Sequence, residues 1–161
     1  MGDHRHRIHR GIAMFEYRDC GLKNIWLASG YHWEEVEGIG QCLEIEDIDG
    51  LHRAIGHHLV HYRKRLSGPE IRFIRTEIGF SQRRLADTLG VEEQTVSLWE
   101  RSKRQPTVAA ERMLRLLYLE HVDGTTKLAE MIERWNDTDR QDDEERRTTA
   151  ERAPTGWRVA A

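Results

Sequence analysis

The sequence predicts an α+β fold with a small N-terminal β region, a linker helix and then an all-α domain. Three observations carry this expectation. Residues 14–46 hold short apolar and aromatic runs between Gly-bearing breaks, the mark of strands and hairpins. Residues 50–65 bring apolar side chains back at helical spacing. Residues 69–120 read as successive helices separated by Gly turns, a serine cap and a proline.

The first 13 residues are polar, rich in His and Arg and without periodicity, which predicts a mobile N-terminus; Met14 is a second possible start of translation. Strands are expected at 14–17, 24–28, 31–36 and 41–45, broken by Cys20-Gly21, Ser29-Gly30 and Gly38-Ile39-Gly40. Tyr31 and Trp33 alternate with polar neighbours, so one face of that strand should be buried. A β region this small has little core of its own and calls for a staple or a docking partner.

Asp49 can cap a helix over residues 50–65, with Leu51, Ile55 and Leu59 on one stripe and Ala54 and Tyr62 beside it. Leu66-Ser67-Gly68-Pro69 breaks the chain, and Pro69 suits the first turn of the next helix, so a domain boundary is expected near Ser67. The β region plus linker helix then spans 14–66 and the helical domain 67–135. A first helix at 69–78 carries Phe73, Ile74 and Ile78. Ser81 caps a second at 82–89, Gly90 makes the turn, and a third follows over 92–101. Pro106 precedes a fourth at 109–120 with Met113, Leu114, Leu117 and Tyr118. Thr125 or Thr126 can cap one more, ending near Trp135, with a stripe of Leu128, Met131, Ile132 and Trp135. Residues 136–161 are charged and read as a disordered tail.

Composition narrows the function. The formal net charge of the 161 residues is −3, which by itself disfavours nucleic acid. By segment it is −5 over residues 1–50, +5 over 51–105 and −3 over 106–161, so a basic middle lies between acidic ends. No apolar run is long enough for a bilayer, and no apolar stretch follows the N-terminal arginines as in a secretory leader, so a cytoplasmic setting is expected. Two cysteines cannot build a disulfide framework. The carboxylates at Glu34-Glu35 and Asp142-Asp143-Glu144-Glu145 come with no nucleophile elbow, phosphate loop or HExxH, so no enzyme is expected.

The segment from Phe80 to Pro106 carries the functional signal. Two short helices joined at Gly90 make a helix-turn-helix, in which Leu85, Ala86 and Leu89 should pack on Val91, Val96 and Trp99. Ser81-Gln82, Leu85-Ala86, Leu89-Gly90-Val91, Thr95-Val96-Ser97, Trp99-Glu100 and Pro106, in that order, resemble the Xre/Cro-type helix-turn-helix family of phage repressors and bacterial regulators. The resemblance covers residues 69–120. It implies a recognition helix whose N-terminal half reads base edges in the major groove. Glu93, Gln94, Ser97, Leu98 and Arg101 are the base-contacting candidates. Gln94 can bond adenine bidentately, Glu93 can accept from cytosine N4, and Leu98 can touch a thymine methyl. Gln82, Arg83, Arg84, Thr95, Lys103 and Arg104 are the phosphate-contacting candidates. Two departures from the family stand out. Ser102 occupies a position where many members carry Gly, which implies a strained turn or an altered geometry, and Glu92 is a poorer cap where many carry Ser or Thr.

The N-terminal region offers a second resemblance. Tyr17-Arg-Asp-Cys20-Gly21 and Cys42-Leu-Glu-Ile45 look like a worn CxxCG…CxxC zinc module, as in MqsA-like (YgiT-type) antitoxins, where it precedes a linker helix and an Xre-type domain. Structural zinc wants four N or S ligands. Cys20 and Cys42 supply two, and His4, His6, His9, His32, His52, His57, His58 and His61 have no spacing that demands a metal. The favoured expectation is therefore no cofactor, with apolar packing around Tyr17, Trp26, Trp33 and Ile45 in place of zinc. The whole reading is a sequence-specific regulator of double-stranded DNA, a repressor acting as a homodimer on an inverted repeat. The alternative is an antitoxin whose acidic β region (Glu34, Glu35, Glu37, Glu44, Glu46, Asp47, Asp49) binds a basic toxin.

Overall fold

A computed structural model describes residues 6–9, 12–124 and 148–160. The strands are β1 (His6–His9), β2 (Ile12–Glu16), β3 (Ile25–Leu27), β4 (Tyr31–Val36), β5 (Gly40–Ile45), β6 (Thr148–Ala153) and β7 (Gly156–Ala160). The helices are α1 (Ile48–Tyr62), α2 (Gly68–Glu77), α3 (Gln82–Leu89), α4 (Glu93–Glu100) and α5 (Val108–Asp123). The α+β architecture is the expected one, with N-terminal strands ahead of a helical region. The chain divides into two compact units, residues 1–55 with 145–161, and residues 56–144. No helix among the described residues is long and apolar enough to cross a membrane.

The first unit contains a five-stranded sheet in the order β1-β2-β3-β6-β7 and a separate β4–β5 hairpin. Neighbours pair antiparallel except β3 and β6, which are parallel. Strand β3 is central, and all three of its residues, Ile25, Trp26 and Leu27, are buried. A short continuous apolar run is what a strand covered on both faces needs. Phe15, Tyr17, Leu22, Ala150 and, from α1, Leu51 and Ile55 complete this core. Tyr31 and Trp33 lie against Phe15, with ring centroids 5.5 and 6.1 Å away. Trp33 still keeps 38% of its surface exposed, so the β4 face is less buried than its alternation suggests.

Both chain ends differ from expectation. Residues 6–9, expected to be mobile, form β1 and pair with β2. Residues 148–160, expected in a disordered tail, form the β6–β7 hairpin. Charge hides this hairpin locally, because its strands TTAERA and GWRVA are short and polar. Its order comes from distant partners: Ile25, Trp26 and Leu27 pair with Thr148, Thr149 and Ala150. The Arg152 amide donates to Ser29 Oγ at 2.8 Å, and Trp157 Nε1 donates to the Glu46 carbonyl at 2.9 Å. Gly30, at φ +76°, admits the Trp157 ring so closely that a Cβ would lie 2.5 Å from it.

Helix α1 starts two residues earlier than expected. Asp47, not Asp49, caps it: the Gly50 amide donates to Asp47 Oδ1 at 3.1 Å. Asp49 sits in the first turn, where the helix dipole favours a carboxylate. Leu51, Ile55 and Leu59 are fully buried as expected, whereas Tyr62 is 60% exposed.

The division between units falls inside α1, between Ile55 and Gly56, ahead of the expected Ser67 boundary. Packing of α1's second half on α5 explains this. A Cβ on Gly56 would lie 2.1 Å from Tyr118 Oη. Buried Arg115 donates to the carbonyls of Val60 (2.9 Å) and Arg63 (2.7 Å), satisfying acceptors that α1 leaves open at its end. Its charge is met by Glu111 at 2.5 Å, which also accepts from the Leu66 amide. In α5, Leu114, Tyr118 and Leu119 are buried while Met113 is 47% exposed. The expected stripe Leu128, Met131, Ile132 and Trp135 lies outside the described residues.

Candidate nucleic-acid interface

Helices α2, α3 and α4 are each closed by the same device. At the end of α2, Gly79 donates to the Thr76 carbonyl and Phe80 to that of Arg75. After α3, Gly90 donates to Asp87 and Val91 to Ala86. After α4, Ser102 donates to Trp99 and Lys103 to Leu98, both at 2.9 Å. These are paired Schellman closures, and each needs a left-handed residue. Gly79 and Gly90 meet that need at φ +69° and +68°. Ser102 meets it at +56°, so the strained turn expected from a missing glycine is present. At the other ends, Ser81 Oγ accepts from the Arg84 amide at 3.0 Å, whereas Glu92 precedes α4 without a side-chain cap bond.

Leu85, Ala86, Val96 and Trp99 are buried, so α3 and α4 are held through the residues expected at their crossing. Ile71, Phe73, Ile74 and Ile78 supply the α2 side of this core. The largest surprise is polar. Arg75 of α2 and Glu100 of α4, each 9% exposed, form a two-pronged bridge with Nε–Oε1 at 2.5 Å and Nη2–Oε2 at 3.2 Å. Arg75 also donates to the Phe80 carbonyl, and Gln82 Nε2 donates to Glu100 Oε2 at 2.7 Å. One carboxylate thus ties α2, the start of α3 and the end of α4 together. Sequence reasoning missed this pair, although a signal exists. Arg75 follows Ile71 by four residues, and Glu100 follows Val96 by four, so opposite charges stand at two core positions.

The candidate contact residues fall into two groups around α3 and α4. Glu93 and Gln94 are exposed in the first turn of α4; Thr95, Ser97 and Leu98 are half-buried on the same helix. Arg101 is exposed, and its Nε donates back to the Ser97 carbonyl at 3.2 Å, which holds the guanidinium along α4. Arg83 and Arg84 are exposed on α3, with the Arg84 guanidinium 4.1 Å from the centre of the Phe80 ring. Lys103 and Arg104 are exposed just past the Ser102 turn. Gln82 is half-buried at the start of α3, and its side-chain amide is engaged by Glu100, which leaves its backbone N–H at the helix start as the group for the expected phosphate contact.

In the β region, Tyr17 and Trp26 are buried, while Ile45 is half-buried and Trp33 exposed. Cys20 and Cys42 are partly exposed and are not joined in a disulfide. Among the described residues, neither belongs to a group of three or more metal-ligating atoms.

Residues 71–110 match a family model described as helix-turn-helix. No curated protein and no solved structure matches the chain. The matched span holds α3, Gly90, α4 and the Arg75–Glu100 bridge, all inside the second unit. Residues 71–110, about a quarter of the chain, are therefore similar to helix-turn-helix domains, a motif that in other proteins places its second helix in the DNA major groove.

Proposed function

We propose that the protein is a sequence-specific repressor that binds double-stranded DNA as a homodimer on an inverted repeat. The observation that carries the reading is the α3–Gly90–α4 unit, whose second helix turns Glu93 and Gln94 outward from a core fixed by Glu100. Gln94 bonds adenine, Glu93 selects cytosine, and Ser97, Leu98 and Arg101 extend the contact along the groove. Arg83, Arg84, Lys103 and Arg104, with Thr95 and the α3 N-terminus, hold phosphates and set the register. One module reads few bases, so two copies on a two-fold site supply the specificity.

Selection of bound sites from random double-stranded DNA, followed by gel shifts across a salt series, tests this. The expected product is a symmetric site with half-sites about 10 base pairs apart or a multiple of that. Gln94→Ala should relax the preference at one position per half-site. Lys103→Ala should weaken binding to all sequences alike and reduce the salt slope by about one per contact. Binding at low salt with no preference over random DNA would refute the reading.

A second reading, an antitoxin that also controls its own operon, draws on the β4–β5 hairpin. Val36 and Ile39 are 36% and 75% exposed among the carboxylates of Glu34, Glu35, Glu37 and Glu44. Such a surface suits a basic partner with an apolar contact patch. Co-expression with the neighbouring gene tests it: relief of growth arrest that is lost when Ile39 becomes Asp supports the role, and no effect on growth counts against it.

A further inference from the structure

We propose that His32, Glu34 and Glu44 form a zinc site on the outer face of the β4–β5 hairpin. The register makes the grouping. His32 stands opposite Glu44, and Glu34, two residues along β4, shares its face. Tyr31, Trp33, Leu43 and Ile45 alternate with these residues and occupy the other face. The three ligand atoms, His32 Nε2 and one oxygen from each carboxylate, all lie within 4.8 Å of one another.

The distances leave room for a metal between the three groups. Both carboxylates approach the same atom, His32 Nε2, from Glu44 Oε2 at 3.2 Å and from Glu34 Oε1 at 3.4 Å. A charge-assisted N–H···O bond is shorter, about 2.8 Å, and one N–H points well at only one acceptor. Zinc bonds of about 2.0–2.2 Å in tetrahedral geometry separate neighbouring ligands by roughly 3.3–3.5 Å. The observed pair of separations is close to that edge length. The donor set also selects the metal. Imidazole with carboxylates suits zinc more than calcium or magnesium, which take oxygen alone.

The consequence is a clip across the hairpin. A two-stranded ribbon is marginal by itself, and β4 and β5 form a sheet of only two strands. A metal bonded to both strands adds its binding free energy to the order of the hairpin. Zinc supply would thus set how firmly the acidic hairpin is presented.

Zinc chloride titrated into the full-length chain provides the test, read by calorimetry and by hydrogen exchange of the hairpin amides. The chain holds other histidines, so each result is compared with His32→Ala and Glu44→Gln in the same chain. We expect the wild type to bind one more equivalent than either variant. Zinc should also slow exchange within residues 31–45 at least tenfold in the wild type alone. Equal stoichiometry and affinity in all three chains, or zinc binding that leaves hairpin exchange unchanged, would overturn the proposal. Both variant positions are exposed, so loss of fold is not expected, and unchanged exchange of the β2, β3 and β6 amides in the same unit verifies it.

Discussion

Removing the charge of Glu100 should loosen the whole recognition unit. In Glu100→Gln the Arg75 guanidinium stays buried but loses its counter-ion, keeping the Phe80 carbonyl and a neutral amide. Breaking a buried pair from one side costs about 3–5 kcal/mol, because an uncompensated charge remains. Arg75→Met exposes the opposite fault and should cost about 3 kcal/mol, since Glu100 then keeps only the Gln82 amide. The double variant carries neither charge. It loses one donor to the Phe80 carbonyl and some packing, so it should cost about 2 kcal/mol. The coupling energy is then about 4–6 kcal/mol, above that of ordinary contacts and within the range of close charge pairs. The chain has two units, so a single global unfolding curve is the wrong measure. Hydrogen exchange of α2, α3 and α4 amides under native conditions reads the local free energy directly. Additivity of the two single substitutions to within about 0.5 kcal/mol would refute the reasoning, as would a Glu100→Gln cost below about 1 kcal/mol.

Three further outcomes follow from the geometry. Ser102→Gly relieves a left-handed serine at φ +56° and should stabilise the helical unit by about 0.5–1 kcal/mol in exchange experiments, with operator affinity changed less than about twofold. Gly56→Ala gains helix propensity but drives a methyl into Tyr118, which is 1% exposed, so a net loss of about 1–2 kcal/mol is expected, with Tyr118→Leu restoring most of it in the same assay. His58 is lowered from 6.5 to about 4 by burial first and by the Arg63 charge second, so its neutral form belongs to the fold. The stability it contributes is complete above pH 6.5 and is lost as pH falls towards about 4, amounting to about 2 kcal/mol once solvent screening at this half-buried ring is allowed for. His58→Gln should flatten the pH dependence of stability across that window, and an unchanged slope would show that other groups set it.

Legibility in the sequence followed the range of the interactions. Ser81, Gly90 and Pro106 announce α3, the turn and the approach to α5, because caps, positive φ and proline act over a few residues. Gln82–Leu89 and Tyr31–Val36 lie where local pattern places them for the same reason. Asp47 was harder to read, since two aspartates two residues apart can both cap and only the Gly50 amide decides between them. Gln82 was harder still. Its side-chain amide meets a carboxylate eighteen residues away in sequence, Glu100, and no local spacing announces that contact.

The sequence by itself determined the helix-turn-helix and its turn chemistry. It also determined the charge division that places +5 over residues 51–105. Those properties depend on local spacing and on residue type. Only the tertiary structure decided that the C-terminal segment folds at all, since β6 takes its order from β3, more than a hundred residues earlier. It likewise paired Arg75 with Glu100 and set His32 opposite Glu44. In each case the partners are separated in sequence. Their free energy appears only when the chain brings them within about 3 Å and removes or orders the water between them.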